Sequence, residues 1–482
     1  MSMKLSAYIK PSPFTITASA VALLIIYLLP VRNAVFLRWM DDMSIYDPST
    51  SNIEWLLHYP GGVLQLAGAF LSQFMYHPWV GSMILMALWG VLTALAIKAF
   101  RLRGNSSILA LGIPMALLAS ILIVDETWLT IPSQGYLFSQ TLGATITLTL
   151  LLLYRAASSF ALRCIIAAIT LLGFPFFGYY ALLAWLLEAI AECAGGNRGE
   201  RWRACAAAAA GGTAAVILPL IYHTYWTGTW AERKTIYLKG LPDLIPSGDD
   251  LPLWMPLIVM SALMLLLCLL SAFPTIRESR SRTTLLSFTG ILGIMCIWCF
   301  SCSSKPEQWR AFVLMQHYMQ RNEWGRIISI MNNIKEEPSR DMILVANLAA
   351  NMLGHDGMPV PAEKNGNGNG GSFRKNSTYT STALLTVPLS YYIGRPNLSY
   401  RWAMEHCVKF GKRAYFIKYM TKCALVNGEY GLAKKYNDML RRTIFHKEWA
   451  ERTARFIDNP ELMKEDPEFA SIPANTATEV FF

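Results

Sequence analysis

The residues with chemistry to offer fall in three stretches. Asp41-Asp42 follow the first long apolar run by a few positions, with Asp47, Glu54 and His58 close behind. Asp125-Glu126 stand between two later apolar runs, and Arg233-Lys234 lie in a segment that also holds His223, Glu232, Lys239 and Asp243. A carboxylate can take the proton of an acceptor hydroxyl, and adjacent cations can hold a phosphate leaving group. Aromatic residues are interleaved with these charges: Trp39, Tyr46, Trp55, Trp128, Tyr225 and Trp230. Their ring faces can stack on a sugar. The chemistry that fits is transfer of a sugar from a phosphate carrier. Asp41 or Asp42 would be the base, Arg233 and Lys234 the phosphate holders, and His58, Asp125 and Glu126 further substrate contacts. Each residue also has a plainer explanation. Adjacent acids at a helix end serve as solvated caps, and Trp and Tyr gather at membrane–water interfaces whatever the function.

Cys296-x-x-Cys299-x-x-Cys302 has a metal-like spacing, but a zinc or iron–sulfur site takes four ligands and no fourth follows nearby. Packing at the end of an apolar run is the expected role. No histidine pair has zinc-binding helical spacing, so no metal site is expected and the cofactor stays unknown.

The elements that must position these residues are membrane spans. Hydrophobic residues make up 54% of the 482 and charged residues only 15%, against about 25% charged in soluble domains. Windows such as 60–97, 104–124, 204–231 and 283–304 contain no Asp, Glu, Lys or Arg. A span needs roughly 20 apolar residues, and in lipid every backbone amide needs an internal partner, which means helices. The expectation is about nine spans: 14–35, 78–97, 105–124, 136–154, 162–175, 177–192, 204–222, 252–274 and 284–302. Segment 162–192 breaks at Gly173-Phe174-Pro175-Phe176-Phe177-Gly178, and the two halves are either a re-entrant pair or two crossings. Segment 61–76 is short and two-faced, with Gln65, Gly68 and Ser72 against Val63, Leu66, Ala67, Phe70 and Phe74. It reads as an interfacial helix, with a short crossing as the alternative.

The net charge of +10 comes largely from basic loops. Lys4 and Lys10, Lys98 to Arg103, Arg155 and Arg163, Arg198 to Arg203, and Arg277 to Arg282 all fall on one face of that topology. The positive-inside bias then puts the N-terminus in the cytoplasm and everything after Ser303 on the other side. No nucleic-acid motif accompanies the charge.

From 303 the composition becomes that of a soluble helical protein. The expected organisation is an apolar domain over 1–302, a helical hairpin over 303–361, a Gly/Asn-rich linker over 362–376, and a helical-repeat-like domain over 377–482. Asn427-Gly428-Glu429-Tyr430-Gly431-Leu432-Ala433 and Asn322-Glu323-Trp324-Gly325 have the shape of a tetratricopeptide-repeat turn. The fold class is therefore all-α: a polytopic helix bundle with a tetratricopeptide-like C-terminal domain, or a plain helical bundle in its place.

Several motifs together resemble a known family. Tyr59-Pro60-Gly61-Gly62 precedes Phe70-Leu71-Ser72-Gln73-Phe74-Met75-Tyr76-His77-Pro78-Trp79, and Asn322-Glu323-Trp324, Asn427 to Tyr436 and Lys447-Glu448-Trp449-Ala450-Glu451 follow. These resemble an uncharacterised multi-pass membrane-protein family of Bacteroidetes, domain of unknown function family 6057, across essentially the whole chain. The resemblance implies a bacterial inner-membrane location with a periplasmic tail, and supplies no activity. The order of a first span, an acidic outer loop, an interfacial helix and an outer C-terminal domain is similar, at the level of architecture, to type C glycosyltransferases. That likeness implies a polyprenyl-phosphate-linked sugar as a partner beside the bilayer. The competing expectation is a non-enzymatic scaffold whose helical repeats recruit an envelope protein.

Overall fold

The computed structural model describes residues 12–58, 60–124, 135–195, 201–227, 251–274, 280–354, 379–466 and 468–469. Among these residues every regular element is helical. Thirteen α-helices lie before residue 303: α1 Pro13–Ile26, α2 Ala34–Asp42, α3 Thr50–Leu57, α4 Gly62–Ser72, α5 Pro78–Ala99, α6 Gly112–Leu122, α7 Tyr136–Ala156, α8 Phe160–Leu172, α9 Phe174–Phe177, α10 Tyr179–Gly195, α11 Arg201–Thr227, α12 Leu251–Leu270 and α13 Arg282–Cys302. Among the described residues six helices are long and apolar enough to cross a membrane: Pro13–Val31, Pro78–Ala99, Gly104–Leu122, Tyr136–Ala156, Cys205–Tyr222 and Arg282–Cys302. Large apolar side chains such as Leu23, Met83, Leu172, Ile294 and Ile297 point outward on this bundle. A water-facing surface would bury such a density of them; lipid would not. The pattern is that of a multi-pass membrane protein.

The break in the 162–192 segment is present. Gly178 adopts φ +55°, a left-handed value that costs glycine little, and α8 and α10 fold back on each other around it. Arg163 near the start of α8 and Glu192 near the end of α10 are 2.7 Å apart, so the chain returns to the side it left. Pro175 O accepts a hydrogen bond from Gly61 N at 3.1 Å, locking this break against the turn that opens α4. That helix has 11 residues, about 16 Å, short of a ~30 Å core. Its small and polar side, Gly68 and Ser72, is buried, and Val63, Ala67 and Phe70 are exposed. A Cβ at Gly68 would collide with the carbonyl of Gly135 at the start of α7, so glycine there permits close backbone approach.

After Ser303 come α14 Glu307–Met319, α15 Trp324–Asn333, α16 Arg340–Met352, α17 Tyr379–Tyr392, α18 Pro396–Phe410, α19 Ala414–Val426, α20 Tyr430–Arg441 and α21 Lys447–Asp458. They pack as successive antiparallel neighbours. The turn before α20 uses Gly428 at φ +73°, and the turn before α15 uses Asn322 at φ +56°. The Gly/Asn-rich tract 362–376 lies outside the described residues. One contiguous set of buried apolar side chains runs from Leu28 and Leu37 through Leu117 to Phe312, Tyr415 and Leu440. The apolar bundle and the C-terminal helices thus share a core.

A cleft between the bundle and the C-terminal helices

Pro30 lacks an amide donor and interrupts the ladder of the first helix, which passes through a π-helical turn over Tyr27–Val31. Asn33 Nδ2–H donates to the Leu28 carbonyl at 2.6 Å, restoring a bond there. The chain then turns into α2, whose last two residues are Asp41 and Asp42. Acids at a helix C-terminus face the negative end of the dipole. Here they are also buried, Asp41 2% and Asp42 8% exposed, which excludes the solvated-cap explanation. Something else must hold them.

The C-terminal helices do so. Lys418 Nζ on α19 is 3.1 Å from Asp42 Oδ1, and Lys412 Nζ is 2.9 Å from Asp47 Oδ2. Arg413 is fully buried; its Nη1 donates to Met43 O at 2.6 Å and its Nη2 to Phe410 O at 2.9 Å. Ala414 N donates to Ser44 O at 3.3 Å, and Ile444 N to Gln73 Oε1 at 2.8 Å. Phe445 stacks on Tyr76 with ring centroids 5.1 Å apart. The strip 41–47 and the turn after α4 therefore form the seat for α18 to α21.

Over this seat opens a cleft of about 520 Å³. Its basic lining is Arg38, Arg321, Lys418, Arg452 and Arg455, its acidic lining Asp42, Glu448 and Glu451, an excess of two positive charges with both histidines neutral. Arg38 lies over the Tyr76 ring, 4.6 Å from its centroid, and Trp449 supplies another aromatic wall. His446 is pushed down to about 3, mainly by burial and then by Lys418. His317 is lowered by burial and by Arg321. Burial alone would raise the Asp42 carboxyl, but Lys418, His446 and Arg38 together outweigh it and hold the group below the usual range. Asp41, buried and beside the charge of Asp42, is pushed well above it. Its Oδ2 accepts no hydrogen bond and lies 3.6 Å from His446 Nε2. The pair is thus split, with the Asp42 carboxyl shifted down where it faces the cleft and the Asp41 carboxyl shifted up behind it, the direction of splitting that separates acid and base roles.

Asp41, Asp42 and His446 each bring one ligand atom within 4.8 Å of the others, near enough to hold a divalent cation. Lys418 already supplies positive charge beside Asp42, which weakens a second cation there. Cys296, Cys299 and Cys302 are free thiols on the last turns of α13, with Cys299 buried.

Of the expected residues that are described, Asp41 and Asp42 are brought together. His58 is exposed at the end of α3, its Nδ1 2.5 Å from Glu54 O, and does not line the cleft. Asp125, Glu126, Arg233 and Lys234 lie outside the described residues. Among the described residues, the cations that meet the acid pair come from α2 and the C-terminal helices. The alternation of Lys409, Lys412, Arg413, Lys418 and Lys422 in an otherwise apolar stretch was the signal available for them.

These features define a class: an all-helical bundle with membrane-length apolar helices, capped by a helical domain across a basic, carboxylate-floored cleft. The chain belongs to the Family of unknown function (DUF6057), whose profile matches residues 7–480. No curated protein matches it, and no solved structure does.

Proposed function

We propose that the cleft binds the phosphate of a polyprenyl-linked sugar at the periplasmic face of a bacterial inner membrane, and that the protein transfers the sugar as type C glycosyltransferases do. The observation that carries this reading is the ionised Asp42 on the floor of a cleft rich in guanidinium groups, at the end of α2, the short helix that follows the first apolar helix. Arg38, Arg321 and Arg455 suit the phosphate, because planar guanidinium groups match its oxygens two at a time. Phosphate entering beside Lys418 competes with Asp42 for it and frees the carboxylate. Asp42 then takes the proton of the acceptor hydroxyl. The acceptor oxygen bonds to the anomeric carbon, and the bond from that carbon to the phosphate oxygen breaks with its electron pair leaving on the phosphate.

The test is Asp42→Asn in a producing bacterium. Transfer per folded molecule in the membrane, read as loss of the dependent surface glycan and build-up of the lipid-linked sugar, should fall at least a hundredfold. Retained transfer removes the reading. Orientation is tested separately by alkaline phosphatase fused after Ser304. The fusion should be active, and a silent fusion would place the cleft in the cytoplasm.

A second reading, a scaffold that docks an envelope protein, draws on Met404 and Val408, neighbours on one face of α18 that are 42% and 80% exposed. Val408→Glu with Met404→Glu would then abolish function while leaving sugar transfer irrelevant.

A further inference from the structure

The apolar bundle has a second polar cavity, at the opposite end from the cleft. Helix α5 starts at Pro78, beside Tyr76 of the cleft wall, and ends at Ala99, beside Arg101 of this cavity. Its 22 residues rise about 33 Å, which is the thickness of a bilayer's hydrocarbon core. Two polar cavities thus sit one at each boundary of the apolar slab.

The second cavity has a volume of about 190 Å³ and is lined by Arg101, Arg155, Arg163, Tyr154, Glu192 and Ser271 among others. These side chains come from the ends of α5, α7, α10 and α12 and the start of α8, which together assemble the cavity. Arg155 is fixed: its Nη1 donates to Ala99 O at 2.5 Å and its Nη2 to Ser271 Oγ at 2.9 Å. Glu192 Oε2 accepts from Arg163 Nη1 at 2.7 Å and from the Tyr154 hydroxyl at 2.9 Å. The Arg163 Nε is buried with no acceptor. Arg101 is held at φ +53°, a left-handed conformation uncommon outside glycine, which turns the chain at the cavity's edge. Among the described residues three guanidinium groups face one carboxylate, an excess of two positive charges. Charge at the edge of a low-dielectric slab needs a counter-charge, and a buried guanidinium N–H needs an acceptor.

We propose that this cavity binds the phosphodiester headgroup of an anionic phospholipid in the leaflet opposite the cleft. A phosphodiester supplies an acceptor oxygen for the orphaned Arg163 Nε and a negative charge that offsets the positive excess of the described lining. Its diacyl tail lies naturally along the apolar helices below. Basic pockets between helices at a membrane face take lipid headgroups in this way. The site is separate from the cleft and does not depend on what the cleft does.

The test uses the full chain, purified in detergent and washed until native mass spectrometry shows no bound lipid. Short-chain phosphatidylglycerol, phosphatidylcholine and inorganic phosphate are then added in turn. Phosphatidylglycerol should bind saturably with one tight equivalent and raise the unfolding temperature. Phosphatidylcholine and inorganic phosphate should bind at least tenfold more weakly. Arg101→Gln, at an exposed position that keeps the bundle's packing, should weaken phosphatidylglycerol at least fivefold while the protein stays monodisperse. Equal binding of inorganic phosphate would overturn the lipid assignment in favour of a free anion. No tight equivalent, or an unchanged affinity in Arg101→Gln, would overturn the site itself.

Discussion

Replacing Lys418 by Met isolates what holds the acid pair. Lys418 Nζ is 3.1 Å from Asp42 Oδ1, and the two side chains retain only 18% and 12% exposure. Removing one partner of a buried pair costs about 3–5 kcal/mol, because the other charge stays behind unpaired. Arg38 also acts on Asp42 and the cleft admits water, so about 2–3 kcal/mol is expected for Lys418→Met. Asp42→Asn should cost a similar amount. The double variant Asp42→Asn/Lys418→Met should cost less than the sum, with a coupling of about 1–2 kcal/mol. Denaturant unfolding of the full chain in detergent, followed by tryptophan fluorescence, reads all four corners of the cycle. The pH dependence has a definite sign. A carboxyl held below its ordinary pKa contributes stability above that pKa and loses it as pH falls through the folded value. The Lys418→Met penalty should therefore be full at pH 7 and shrink below about pH 4. Strict additivity at pH 7, or a penalty that does not change in acid, would refute the pairing. A double variant that regains stability without regaining transfer would show that Asp42 does more than seat the C-terminal helices.

Other expectations follow from the same geometry. Arg413→Met leaves the Met43 and Phe410 carbonyls without their buried donor and should cost about 3 kcal/mol. Limited proteolysis should then cut near Gly411, and unchanged resistance would count against the seat. Asp41 has its carboxyl raised by burial and by Asp42. Such a group contributes fully below its ordinary pKa and loses that contribution as pH rises through the folded value. Asp41→Asn should accordingly unfold at a higher temperature than the natural protein at pH 8, with the advantage gone near pH 4; equal curves at both pH values would contradict this. Gly68→Val forces a side chain into the Gly135 carbonyl and should cost at least ~2 kcal/mol, whereas Gly290→Ala, with open space around it, should be near neutral by thermal melting of both.

The helices were legible because lipid imposes one rule on every span. Charge-free windows predicted elements at 78–97, 136–154 and 284–302, and the structure has Pro78–Ala99, Tyr136–Ala156 and Arg282–Cys302. The Gly173 to Gly178 break was visible for the same reason: proline and glycine act locally. The all-α fold was therefore open to reading, and so was the membership of its family. The candidate site was only half legible. Asp41 and Asp42 stood out as charges next to a span, but their partners lie far along the chain, Lys418 opposite Asp42 and His446 opposite Asp41. Local patterns carry no information about which distant helix docks where. Arg321, Lys418, Arg452 and Arg455 reach the cleft through tertiary packing. Arg413 illustrates the same limit. In sequence it is one basic residue among many, and only its burial against Met43 shows that it pins the seat.

Binding of polyprenyl phosphate to the cleft tests the central claim most directly. The purified full chain should bind it saturably by isothermal titration in detergent and bind polyprenol, which lacks the phosphate, at least tenfold more weakly. Arg321→Gln and Arg455→Gln together should remove most of that difference at an unchanged unfolding temperature. Equal affinity for the alcohol and the phosphate, or a phosphate affinity untouched by losing both arginines, would contradict the account.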